Sequence, residues 1–262
     1  MNLIAVAAFE LRRYIYSSRI IVVLLVSTIP TLFYLQFAAQ EALTIAAIEE
    51  IDVPRYLLGV LVYFSHFIGT LVAILVVSDL VAGERSFDLL LASPTSRTAI
   101  LGGKIIAAIL IVVLTIAFCF ISASLVFVAL TDLPSVEWQF RAFLLTILLI
   151  LFPLAISLVF SVGALLIRDL SPSTAVYLPL FLFFVVPFII WTSVILRFFQ
   201  FEITDYTYLG WVDRILGYEF KLSPTTTTKK QYEIALLLIS SLTISCFLIA
   251  VLLFQRLESF IR

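Results

Sequence analysis

Charge is scarce in this chain: 16 Lys and Arg, 17 Asp and Glu and one histidine are spread over 262 residues. Their near balance, net −1, offers no basic surface for nucleic acid. The lone histidine, His66, excludes a multi-histidine metal site. The two cysteines, Cys119 and Cys246, lie deep in apolar runs and read as small hydrophobes, not as a disulfide or a metal pair. The sequence holds no nucleophile elbow, no aspartate pair at metal-ligand spacing and no glycine-rich phosphate loop. It therefore offers no catalytic residue, no metal site and no cofactor of its own. A cleaved signal is not expected either, since Arg12 and Arg13 follow an apolar start and no small-residue cleavage site precedes a soluble domain.

What remains is hydrophobic. Apolar residues make up 63% of the chain and the mean hydropathy is +1.20, against about 45–50% apolar in a soluble domain. Such a chain cannot cover itself with polar surface, so it is an integral membrane protein. Its apolar runs exceed the ~9–11 residues of a barrel strand and do not alternate, so helices span the bilayer. They predict six crossings, at residues 20–38, 58–80, 104–130, 141–167, 174–196 and 233–254. Each is long enough for a ~30 Å core at ~1.5 Å per residue. The third and fourth exceed one crossing and are expected to tilt or to project into water. Pro30, Pro153, Pro179 and Pro187 fall inside crossings. Each removes a backbone hydrogen bond, which suits an ordinary kink or a hinge.

Basic residues set the orientation. With the N-terminus inside, the inside segments hold Arg12, Arg13, Arg19, Arg85, Arg97, Lys104, Arg168, Arg256 and Arg262. The first two outside loops hold Arg55 and Arg141 among Glu41, Glu49, Glu50, Asp52, Asp132 and Glu137. The expected fold is thus an all-α membrane protein of six transmembrane helices, with both termini cytosolic. An amphipathic interfacial helix over residues 1–19 precedes them. In that helix Leu3, Ile4, Ala7, Ala8, Leu11 and Ile15 recur at helical spacing, and Glu10, Arg12 and Arg13 occupy the other side. It reads as a simple anchor or as an elbow coupling a partner's movement to the first crossing.

Other polar residues suggest structure more than chemistry. His66 reads as a packed, hydrogen-bonded interior residue. Asp79, at the inner end of the second crossing, is expected to face the protein interior or the cytosol, because a lipid-facing carboxylate is costly. Ser122, Ser124, Ser157, Ser161 and Thr146 suit helix packing, with a polar pathway as the alternative. The outside segment 197–232 is too long for a plain connection. Within it Tyr208, Leu209, Trp211, Val212, Ile215 and Leu216 predict a short amphipathic or re-entrant helix.

The most informative stretch is residues 83–97, a charged segment between two apolar runs. Gly83 can end the second crossing. Glu84 and Asp88 lie four apart on one helical face beside Arg85, and Phe87, Leu90 and Leu91 form an apolar stripe. Pro94 stops the helix, and Arg97 to Lys104 lead into the third crossing. Such a helix either folds back on its own bundle or fits a groove on a cytosolic protein.

Gly-Glu-Arg, then Leu-Leu-Leu-Ala-Ser-Pro-Thr-Ser-Arg, then Ile100-Leu101-Gly102-Gly103-Lys104, resembles the signature of ABC-2 type permeases, the six-helix membrane subunits of ABC transporters. The likeness covers the whole chain in architecture. It implies that Glu84, Arg85 and Leu89 to Leu91 form a coupling helix docked on an ATP-binding subunit. Pro94 and Arg97 would end it, and Gly103 and Lys104 would start the third crossing. Only Ser86, Phe87 and Asp88 separate the Glu-Arg pair from the leucines, so this helix is about one turn shorter than the family's. The short inside loop 168–172 suits a secondary contact. The resemblance also implies a homodimer, or a heterodimer with a related permease, in the plasma membrane. ATP and Mg2+ would be held by the partner subunit, and an exporter would work by alternating access. The rival readings are a polytopic membrane enzyme, which would need clustered buried charges near one interface, and a membrane anchor or regulatory subunit that transports nothing.

Overall fold

The computed structural model describes residues 3–46, 52–81, 97–130, 134–166, 173–187, 208–220 and 227–260. Their secondary structure is helical throughout. In chain order it comprises α1 (Leu3–Ile15), α2 (Ser18–Ala46), α3 (Val53–Val81), α4 (Arg97–Leu130) and α5 (Val136–Leu166). There follow α6 (Thr174–Leu180), which runs on as π-helical turns over Phe181–Val185, α7 (Tyr208–Phe220) and α8 (Lys229–Phe260). Helices are the expected outcome of these runs, because a helix satisfies its backbone within one segment where no water can.

Five helices, α2, α3, α4, α5 and α8, are long and apolar enough to cross a membrane. The predicted crossing 174–196 is described only as far as residue 187, with a shorter apolar helix over Thr174–Val185. Helix ends extend past the predicted ones. α2 continues to Ala46, and α4 begins at Arg97, so Gly103 and Lys104 lie inside the helix and do not start it. Pro30 and Pro153 sit within continuous helices, whereas the π turns fall between Pro179 and Pro187. A π turn accommodates an interrupted hydrogen-bond ladder, as prolines produce.

α3 is the centre of the bundle. Within its apolar window 72% of residues are buried, against 22% for α2 and 17% for α8. The latter two turn large apolar side chains outward, among them Ile29 and Phe33 of α2 and Leu237, Leu248 and Leu252 of α8, as lipid-facing helices do. Two apolar clusters lie along the bundle. One packs Leu57, Leu58 and Leu61 of α3 against Leu149 of α5 and Val212, Ile215 and Phe220 of α7. The other packs Val72, Val76 and Leu80 of α3 against Ala108 and Ile111 of α4, Leu154 of α5 and Tyr14 of α1.

Close approach at the centre depends on Gly69. A Cβ there would lie 2.2 Å from Ile150 Cδ1 and 3.0 Å from Ile116 Cδ1. Gly163 of α5, by contrast, has nothing within 4 Å of the same position. Gly69→Leu should therefore lower thermal stability in detergent by about 1–3 kcal/mol through overpacking. Gly163→Ala should leave stability unchanged or raise it by up to about 1 kcal/mol.

Candidate functional site

Among the described residues, ion pairs gather toward the two ends of the bundle, with buried hydroxyls such as Thr115 and Ser157 between them. At one end α1 lies against the first turns of α4, and two glycines allow it. A Cβ on Gly103 would stand 2.5 Å from Val6 Cβ and 3.0 Å from the Ala7 amide nitrogen; one on Gly102 would stand 2.7 Å from Leu3 Cδ1. Beside this seam the Lys104 side chain is 0% exposed and the Glu10 side chain 1%. Lys104 Nζ donates to the Leu80 carbonyl at 2.6 Å and lies 3.6 Å from Glu10 Oε1. Arg13 Nη1 meets the other oxygen of Glu10 at 3.4 Å. Leu80 is one residue before Val81, the last described residue of α3. Lys104 thus ties α4 to the main chain of α3.

Next to this group Arg19 of α2 pairs with Asp79 of α3. Tyr14 is buried beside them. Burial raises its phenol pKa, the Asp79 charge raises it further, and Arg19 partly offsets both. The result is a set of ion pairs joining α1, α2, α3 and α4. Buried charges cost several kcal/mol each unless paired, so Glu10 and Lys104 depend on one another, whereas Arg19 and Asp79 form a partly exposed pair.

At the opposite end α7 packs into the bundle rather than lying on it, with Val212, Ile215, Leu216 and Phe220 buried. Its first residue, Tyr208, donates its hydroxyl to the Leu149 carbonyl at 2.6 Å. That carbonyl is unsatisfied within α5 because the residue four positions on is Pro153, which has no N–H. His66 Nε2 lies 2.6 Å from the same hydroxyl. The hydroxyl proton is already given to Leu149, so His66 carries its proton on Nε2 and donates to Tyr208. Burial holds the Tyr208 phenol pKa well above its ordinary value.

The far end of α7 is held in the same manner. Arg55 Nε and Nη2 of α3 donate to the Glu219 carbonyl at 3.0 and 2.6 Å, in the last turn of α7. The Arg55 guanidinium also stands over the Trp138 ring at 4.5 Å. Arg141 lies 5.5 Å from that ring centre and 3.6 Å from Glu219 Oε2. Tyr218 of α7 stacks on Tyr232 of α8 with ring centres 4.7 Å apart.

Several expected residues are placed differently from their sequence reading. Glu10 is not on a solvated face: it is buried toward Lys104, whereas Ile4 and Ile15 of the expected apolar stripe are exposed. The inward stripe of α1 is Val6, Ala7, Glu10 and Tyr14. Arg12 is exposed and stands over the Tyr16 ring, and Arg13 is half-exposed. Arg97 opens α4. Glu84, Arg85, Phe87, Asp88, Leu90, Leu91 and Pro94 lie outside the described residues, as does the loop 168–172. His66 is packed and hydrogen-bonded, as expected, and Asp79 faces a protein partner. Among the helix hydroxyls, Thr146 and Ser124 bond back to carbonyls of their own helices, and Ser157 reaches the Ile74 carbonyl of α3. No group of three or more potential metal ligands occurs among the described residues. The residues missed in sequence were Lys104 as a buried partner and Tyr208 as a cap. A usable signal existed for both, since a lysine within a span needs a partner and a proline within a span leaves a carbonyl open.

Among the described residues, five helices long and apolar enough to cross a bilayer define a multi-pass membrane protein. The sequence model of the ABC-2 family transporter protein matches residues 4–258, nearly the whole chain. The chain belongs to that family and is a membrane-spanning subunit of an ABC transporter. No curated protein matches it.

Two substitutions test the seams. Lys104→Met should lose about 3 kcal/mol by taking from buried Glu10 its buried cation and from the Leu80 carbonyl its donor, and Glu10→Leu/Lys104→Met should recover the part due to Glu10, read by thermal unfolding in detergent. Tyr208→Phe should cost about 1–3 kcal/mol by leaving the Leu149 carbonyl and His66 without their partner. Pro153→Ala should relieve this loss, because an alanine N–H can reach Leu149 along the helix.

Proposed function

We propose that this chain is the permease of an ABC exporter in the plasma membrane, working by alternating access with ATP hydrolysed on a separate subunit. Residues 83–97 form the coupling helix, with Glu84, Arg85, Phe87, Asp88, Leu90, Leu91, Pro94 and Arg97 at the contact. Residues 174–196 make the sixth crossing and both termini are cytosolic. The chain pairs with a second copy or a related permease. ATP and Mg2+ bind the partner subunit.

The observation that carries this reading is the seam between α1 and the start of α4, beside the end of α3. Residues 83–97 are bound covalently to α3 on one side and to α4 on the other. Lys104 joins those two helices through Leu80 and adds α1 through Glu10. A force applied to 83–97 therefore reaches three helices at once, and α1 acts as the elbow. α3 carries it onward as the buried central helix. At the opposite end α7 closes the bundle, held to α3 and α5 by Arg55, His66 and Tyr208. Release of α7 is the movement that opens the outward side. The drive is the partner's differential binding of ATP in the two states.

The test reconstitutes the chain with its candidate ATP-binding subunit. The native chain should bind that subunit and alter its ATP turnover. Glu84→Ala/Leu90→Asp should do neither, while retaining the native elution volume and melting temperature. Binding and turnover equal to native in that folded variant would remove residues 83–97 as the docking element.

A further inference from the structure

We propose that the exposed aromatic patch where α2, α3 and α7 meet binds a lipophilic organic cation, through the rings of Tyr34, Tyr63 and Phe67 and the carboxylate of Asp213.

The rings stand where the central helix comes to the surface. Of the residues of α3, only Tyr63, Phe67 and Leu75 are exposed. Tyr63 and Phe67, four apart, share one face of the helix, at 38% and 43% exposure. Phe67 meets Phe184 of the π-helical turns at right angles, with ring centres 4.7 Å apart. On α2, Tyr34 stacks on Phe64 of α3 at 4.6 Å and is itself exposed. Tyr34 and Phe67 are thus each held by a neighbouring ring before any ligand arrives, which lowers the ordering cost of binding.

The charge at this patch is negative. The Tyr63 hydroxyl lies within electrostatic reach of the Tyr34 hydroxyl and of the Asp213 carboxylate of α7. Asp213 is exposed. Glu10, Asp79, Glu219 and Glu233 each meet a cationic side chain, but among the described residues none acts on Asp213. Arg214, next in sequence, lies about 100° further round the helix and has interactions of its own. Tyr56 is within reach of Tyr34 and of exposed Glu41, so a second carboxylate extends the negative field along the seam of α2 and α3. A carboxylate in a membrane bundle with no cation of its own is a place for one to bind.

Ring faces beside a carboxylate suit a cation with apolar substituents. It gains cation–π attraction from the rings and charge attraction from Asp213. A metal ion fits poorly, since no group of three potential ligands occurs among the described residues and hard cations take about six oxygens. Phe37, one turn from Tyr34, is also exposed, so apolar surface continues past the rings and favours a lipophilic cation over a strongly hydrated one. That such a cation is cargo rests on the exporter reading above; the binding itself does not.

The experiment measures binding of tetraphenylphosphonium to the full chain in uncharged detergent, by equilibrium dialysis against protein-free micelles. Tetraphenylborate, of similar size and opposite charge, is its counterpart. The cation should bind saturably and the anion should not. Asp213→Asn should weaken binding roughly tenfold, and Asp213→Glu should retain most of it. Tyr34→Leu and Tyr63→Leu should each weaken it roughly threefold. Glu137→Gln, at an exposed carboxylate in the first turn of α5, should bind as native. Each variant is compared at native elution volume and melting temperature. Saturable binding of tetraphenylborate, or native affinity in Asp213→Asn, would overturn the site. Native affinity in both tyrosine variants would overturn the rings as its walls. Displacement of the probe by short-chain phosphatidylcholine would overturn a free cation as the occupant, in favour of a lipid's choline group. None of these outcomes depends on the ATP-binding subunit, so the cation site and the coupling helix stand or fall separately.

Discussion

Side chains that donate to the main-chain carbonyls of neighbouring helices organise this bundle. In hydrocarbon no water is present to take such a donor, so its partner must come from elsewhere in the chain. Lys104 of α4 donates to the Leu80 carbonyl of α3. Arg55 of α3 donates to the Glu219 carbonyl of α7. Pro153 opens a carbonyl inside α5, and Tyr208 of α7 closes it. Each donor brings a requirement of its own: Lys104 needs Glu10, and Tyr208 is met by His66. The positions of α1 and α7 follow from these needs as much as from apolar contact.

α1 and α7, too short to cross a bilayer, are therefore structural parts of the helices long enough to do so. α1 reaches α4 closely only because Gly102 and Gly103 have no side chains, and close approach is what brings Glu10 to Lys104. α7 fills the opposite end with Val212, Ile215 and Phe220, and both of its ends are tied to α3 and α5. α3 takes part in both ends. A displacement at one end of α3 has a physical route to the other through a packed helix, and Gly69 keeps that helix close to α4 and α5 along the way.

Much of this fold is legible in the sequence because long apolar runs leave few alternatives to a spanning helix. α2, α3, α4, α5 and α8 overlap the runs that predict them, and a helix over 208–220 follows from the aromatic and aliphatic spacing there. The face of α1 was not legible. Glu10 and Arg13 look equivalent on a helical wheel, and only the approach of Lys104, far along the chain, decides that Glu10 turns inward. The extra length of α2 and α4 was missed for a related reason: polar residues such as Gln40 and Arg97 continue a helix whose apolar stretch has ended. The capping of Leu149 was half legible. Pro153 announces an open carbonyl, but nothing local names Tyr208 as its partner.

The two ends differ in the kind of interaction that holds them, and this bears on what each can do. The α1 end rests on full charges: Lys104 and Arg13 on Glu10, and Arg19 on Asp79. Such pairs are sensitive to any further charge brought near them, because it competes directly with the old partners. At the N-terminal end of α7 the contacts are between neutral groups, His66 to Tyr208 to Leu149, with Phe152 and Phe183 packed against the Tyr208 ring. These are short-ranged and are lost only when the groups separate. The other side of α7 is held by charge as well, through Arg141 to Glu219, so neutral contacts alone hold only its Tyr208 side. In the proposed cycle the input is assigned to the charged α1 end and the response to the parting of α7 from α3 and α5.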